Sequence, residues 1–125
     1  KDVPKTICRA DLLLMTYSLK KISINSSGSD TSKFASPIKM FEYLASGVPF
    51  ISSNLPVLKE ILINKNNCLI AENNSVDEWV NKINYLDKNL KLRKKLSKKG
   101  IFTALNNTWF LRAKKISQIY NKVIN

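Results

Sequence analysis

Histidine does not occur in these 125 residues, and cysteine occurs only twice, at Cys8 and Cys68. The two cysteines are far apart and sit among apolar neighbours, so a zinc centre and a Cys-His catalytic pair both lack the residues they require. They read as buried free thiols. No apolar run approaches the roughly 18 residues that a membrane span needs. The opening Lys-Asp-Val-Pro-Lys-Thr lacks the charged-then-apolar order of a signal peptide, and the chain therefore reads as cytoplasmic. Acidic residues are scarce as well: nine against 21 Lys and Arg, a formal charge of +12. Such an excess draws phosphates on a nucleotide, a nucleic acid or an anionic membrane without choosing among them. Twelve of the bases fall between Lys82 and Lys122, where the pattern is helical, and a solvated lysine-rich face accounts for such a run. The length fits a single small domain over residues 1–125, one that buries about two-thirds of its unfolded surface.

What is present is an alternation of short apolar runs with helical patterns. Leu12-Leu13-Leu14-Met15 is a continuous apolar run of strand length. Tyr17 to Lys33, rich in Ser, Asn, Asp and Lys, shows neither period and reads as a long loop. Ser36 as N-cap, Pro37 at the first helical position and Gly47 just past the end punctuate a helix from Pro37 to Ser46. Val48 to Ser53 reads as a second buried strand. Asn54-Leu55-Pro56 opens a helix through about Leu62, and Cys68 to Ala71 makes a third strand. Ser75-Val76-Asp77-Glu78 is a capping box that starts a helix to about Asp87, on which Trp79 reads as core. Leu90 to about Leu105 and Thr108 to about Ile124 are two basic amphipathic helices with Asn106-Asn107-Thr108 between them. The fold class is α/β: a doubly wound parallel sheet of about three strands, flanked by helices and followed by the two basic ones. Ligands in such sheets bind beyond the carboxyl ends of the strands.

The Pro37 helix carries the chemistry. It is apolar over most of its circumference, yet Lys39, Glu42 and Ser46 fall on one polar stripe. A surface helix showing its wet face would give that stripe too. Three features go further. The first amides, of Ile38 and Lys39, are free donors at the positive end of the helix dipole, which makes an anion site. Lys39 opposes that dipole, an unfavourable placement unless an anion is there to be neutralised. Glu42, one turn further in, is placed to accept from a pair of hydroxyls.

Ala10-Asp11-Leu12-Leu13-Leu14, the run from Ser36 through Glu42 to Pro49, and Thr108-Trp109 near Arg112-Ala113 together resemble glycosyltransferase family 4. The resemblance implies a metal-independent, retaining enzyme of the GT-B fold, with this chain as part of its Rossmann-like C-terminal domain. It implies a nucleoside-diphosphate sugar as donor and a role in glycan or cell-envelope polysaccharide synthesis. Glu42 matches the glutamate that holds the ribose hydroxyls, and Ser36, Pro37, Ile38 and Lys39 match the loop-to-helix junction that cradles the diphosphate. Ser18, after the first strand, is a further candidate donor contact. Phe34 stands where the family has a sugar-contacting glutamate. No residue is assigned as catalytic, and neither a metal nor a separate cofactor is implied. The acceptor-binding N-terminal domain is missing from the chain, which implies that the chain alone is inactive.

Several further expectations follow. With the domain's opening strands missing, the strand Leu12 to Met15 has an open edge, and a homodimer through it is expected. The basic helices suggest peripheral contact with the inner face of a membrane. The alternative function is a basic nucleic-acid- or membrane-surface-binding module built on those helices. Against it, Trp109, Phe110 and Tyr120 fall near helical spacing with Leu111, Ile116, Ile119 and Val123, a stripe expected to pack on the domain, and no nucleic-acid partner is expected. Asn73-Asn74-Ser75 and Asn106-Asn107-Thr108 match the glycosylation acceptor pattern by chance in an Asn-rich chain, the second serving as a helix boundary.

Overall fold

The computed structural model describes residues 2–17, 37–72 and 75–124. Helix α1 (Val3–Cys8) leads into strand β1 (Leu13–Met15). Then follow helix α2 (Ile38–Ser46), strand β2 (Phe50–Ser53), a 3₁₀ segment (Pro56–Glu60), strand β3 (Leu69–Ala71) and helices α3 (Val76–Asp87), α4 (Leu90–Leu105) and α5 (Trp109–Ile124). The strands form one parallel sheet in the order β1-β2-β3. Leu13 lies opposite Phe50 and Met15 opposite Ser52, while Ile51 lies opposite Leu69 and Ser53 opposite Ala71. Strand β1 is outermost, with β2 as its only neighbour among the described residues.

All four residues of β2 and all three of β3 are buried. Successive side chains of a strand point to opposite faces, so a strand buried at every position has cover on both. Both faces are covered. One core gathers Phe50, Cys68 and Ile70 with Met15, Met40, Leu44 and Leu58. The other gathers Ile51, Leu69 and Ala71 with Leu86 and Leu96, and Trp79 packs against it. The doubly wound arrangement and the core placement of Trp79 are thus both observed.

Local chemistry fixes the boundaries. Ser75 Oγ accepts from the Glu78 amide at 3.2 Å and starts α3, and Glu78 Oε1 accepts from the Glu72 amide at 2.8 Å, tying the end of β3 to the helix. Asn89 Oδ1 caps α4 by accepting from Leu92 N. Gly47 closes α2 at φ 71°, a left-handed conformation that costs other residues about 1–2 kcal/mol. Gly100 is buried, and a Cβ there would meet the Leu44 carbonyl at 3.4 Å; the missing side chain lets α4 approach α2 closely.

Four expectations need correction. Helix α2 begins at Ile38, with Pro37 in the extended N-cap conformation (φ −69°, ψ 126°) rather than inside the helix. Pro56–Glu60 is a 3₁₀ segment and not an α-helix to Leu62. The reason is Asn67, which is buried. Its side chain accepts from Ile63 N and donates to Ile61 O and Thr103 Oγ1, diverting the groups a continuing helix would use. Cys8 is exposed, because α1 buries none of its residues; only Cys68 is a buried thiol. Finally, α5 does not pack its apolar stripe on the domain: none of its residues is buried.

Candidate functional site

Helix α2 is held from two sides. Met40 and Leu44 enter the core, and the Tyr43 ring meets Phe50 edge-on at 5.8 Å between centroids. Ser46, the third member of the polar stripe, is spent on the fold: its hydroxyl donates to Tyr43 O at 2.7 Å and accepts from Val48 N at 3.1 Å, turning the chain into β2. That leaves Lys39 and Glu42, both exposed.

Glu42 lines a cavity of about 300 Å³ between α1 and α2, whose walls include Val3, Pro4, Ile7 and Cys8. Neither ion pair of the described residues, Lys5–Asp2 and Lys82–Glu78, involves Glu42, and its carboxylate has no hydrogen-bond partner among them. It is an unspent acceptor facing an apolar wall. Val3 and Ile7 at a spacing of four, with Pro4 between, already gave α1 one apolar face.

The start of α2 offers the other half of the candidate site. Pro37 caps the helix with no side-chain hydrogen bond, and the first turn holds no acid. By helix geometry the amides of Ile38 and Lys39 have no intrahelical acceptor. The rise of 1.5 Å per residue sets Glu42 about 6 Å along the axis from Ile38. The Ile38 side chain points elsewhere, into a second cavity of about 310 Å³ that it shares with Phe41, Ala104, Trp109 and Arg112. Pro37 and Lys39 line neither cavity. Ser18, Ser36 and Phe34 lie outside the described residues. The structure therefore brings Glu42 together with α1, a grouping not foreseen, and keeps Ile38 and Lys39 one turn away on the same helix.

At the carboxyl end of the sheet, Ser53 Oγ accepts from Tyr17 N at 2.8 Å, and Asn54 Nδ2 donates to Glu72 Oε2, linking the ends of β1, β2 and β3. The described residues contain no cluster of three His, Cys, Asp or Glu side chains. Cys68 is no nucleophile, since burial pushes its thiol from 9.0 up to about 12.

The family model described as glycosyl transferases group 1 matches residues 3–101, a span that contains the sheet, α2 and the Glu42 cavity. The chain belongs to this family. Among solved structures, this glycosyltransferase domain is similar to the Anabaena protein HepE, whose crystal structure is a complex with UDP-glucose. The TM-score is 0.66 at 15% sequence identity, over 83% of this chain. At that identity the likeness concerns the fold. The glycosyltransferase chain described here spans 25% of the length of HepE. No curated protein matches it.

Proposed function

We propose that this domain binds the nucleoside-diphosphate sugar of a retaining glycosyltransferase and supplies the donor side of its site. The observation that carries the reading is the Glu42 carboxylate, without a partner among the described residues, at the apolar cavity of Val3, Pro4 and Ile7. A nucleoside matches both surfaces. Its base takes the apolar wall, and its ribose presents two vicinal hydroxyls to a carboxylate that accepts from both. The diphosphate then falls toward the start of α2, about 6 Å along the axis, where free amides, the helix dipole and Lys39 meet it.

The chemistry assigned to these groups is electrostatic. In glycosyl transfer the bond between the anomeric carbon and the β-phosphate oxygen breaks, and an acceptor oxygen bonds to that carbon on the same face. Negative charge grows on the departing diphosphate. Donors already aimed at it, the α2 amides and Lys39, stabilise that charge more in the transition state than in the ground state. They do so without a divalent cation. The acceptor is held by residues outside this chain, and the reaction belongs to glycan or envelope polysaccharide synthesis. UDP-glucose in HepE supports a sugar nucleotide as the ligand class, and the family match supports the transfer reaction.

Backbone amide shifts during titration with UDP, GDP and ADP test the assignment. Changes clustered on Val3 to Ile7 and Ile38 to Glu42 are expected. Changes clustered on residues 90–125 would place the nucleotide elsewhere. The outer edge of β1, unpaired among the described residues, carries a separate proposal, a second copy paired through Leu12 to Met15. Light scattering at micromolar concentration should report a dimer, and a monomer would refute it.

A further inference from the structure

Strand β2 is buried along its whole length, yet its last two residues are serines. A buried hydroxyl costs free energy unless it is bonded, so the use of each one matters. Ser52 Oγ donates to the neighbouring Ser53 carbonyl at 3.1 Å. Ser53 Oγ, on a residue 1% exposed, reaches instead to the chain leaving β1 and accepts from Tyr17 N at 2.8 Å. In the ladder between β1 and β2, Leu13 N donates to Pro49 O, and a parallel ladder repeats every two residues along both strands. Two repeats on, the donor is Tyr17 N and the acceptor due is the Ser53 carbonyl. That carbonyl is taken by Leu55 N at 3.0 Å, in the turn that leads to the 3₁₀ segment. The Ser53 hydroxyl stands in for it, and the register of β1 stops at Met15 opposite Ser52.

What this bond fixes is the direction in which the chain leaves the sheet. Tyr17 is the last residue described before the connection that returns at Pro37. Sequence matches assign donor contacts to both ends of that connection, Ser18 at one and Ser36 to Lys39 at the other. The second end is anchored through Met40 and Leu44 in the core, against which the Tyr17 side chain also packs. Ligands of a doubly wound sheet meet it at this carboxyl end. Given the donor site proposed at α1 and α2, on which the inference depends, we propose that Ser53 is a positioning residue for it. Buried, Ser53 touches no ligand; through the Tyr17 amide it holds the exit of β1 in the direction that donor binding requires. Without the hydroxyl the ladder from Leu13 to Met15 remains, but the exit samples other directions. Apparent affinity then falls with the fraction of molecules that keep the competent one. A neutral hydrogen bond of ordinary strength limits that fall to about fivefold.

Affinity for UDP, the thermal midpoint and the exchange rate of the Tyr17 amide, measured for the native chain, Ser53→Ala and Ser52→Ala, test the proposal. Each variant removes one buried hydroxyl from the same strand, so both should lower the midpoint. Only Ser53→Ala is expected to speed exchange at Tyr17 and to weaken UDP binding, by about two- to fivefold. Ser52→Ala should bind UDP as the native chain does, and so should Ser53→Thr, which keeps the hydroxyl. If Ser53→Ala does not fold, Ser53→Cys takes its place, because a thiol of similar size is a weak acceptor, and the same loss is expected. Native affinity in the Ala or Cys variant, or equal losses at Ser52 and Ser53, would show that the hydroxyl serves the fold alone; the proposal would fall and the donor reading would stand. A native chain that binds no UDP, or whose UDP-induced amide shifts are confined to residues 90–125, would overturn both.

Discussion

Helices α2 and α5 read alike in sequence, both apolar along one side and both without an acid in the first turn, yet they meet opposite fates. Helix α2 runs between two strands of one parallel sheet, so its ends are fixed and its apolar side falls on the core through Met40 and Leu44. Helix α5 follows helix α4 rather than a strand, and none of its residues is buried. An amphipathic period tells which side of a helix avoids water. It does not tell what covers that side; the connections do.

Substitutions on the two helices should separate them most. Leu44→Ala, at a position 1% exposed, is expected to cost about 2–5 kcal/mol in urea unfolding, the range for truncating a buried leucine. Ile116→Ala on α5 should stay within about 0.5 kcal/mol, as surface changes do. A large loss there would mean that α5 is packed in solution and would erase the contrast. Between the extremes lies Gly47→Ala. Its φ of 71° and a Cβ that would come 2.9 Å from Ile101 Cδ1 lead us to expect a loss of about 1–2 kcal/mol, with the Ile101 side chain moving aside.

The two thiols extend the comparison to α1 and β3. Exposed Cys8 should react with a thiol reagent in the native state, and Cys68 only on unfolding. The Cys68 thiol ionises at 9.0 when exposed and at about 12 in the fold. Its contribution to stability is therefore complete below pH 9.0 and falls as pH rises toward about 12, because only the unfolded state loses the proton in that window. In Cys68→Ala that part of the alkaline slope should vanish. Rapid labelling of Cys68 in the native protein would contradict its burial.

Much of this was legible in the sequence. The strands announced themselves as apolar runs, and the ends of α2 and α3 were marked by Gly47 and Ser75. What escaped was set by contacts distant in sequence or by side chains with two plausible uses. Asn67 holds the chain after the 3₁₀ segment through bonds to Ile63 N and Ile61 O, and is itself anchored by Thr103 Oγ1, 36 residues on, which no local pattern shows. Ser46 belongs to the polar stripe by spacing but to the chain turn by hydrogen bonding. The cavity at Glu42 depends on α1 lying beside α2, and periodicity gives faces, not neighbours. Cys8 differs from expectation for the same reason, its apolar neighbours in sequence belonging to an outer helix in space.

The central claim is that Glu42 is a ligand contact, whereas its neighbours Met40 and Leu44 are structural. Affinity for a nucleoside diphosphate and the thermal midpoint, measured side by side for the native chain and Glu42→Gln, test it directly. A hydrogen bond to a charged group contributes about 1.5–3 kcal/mol, so affinity should fall by about tenfold or more while the midpoint stays unchanged. Unchanged affinity, with or without a lowered midpoint, would show that Glu42 serves the fold or nothing at all, and that the donor is held elsewhere.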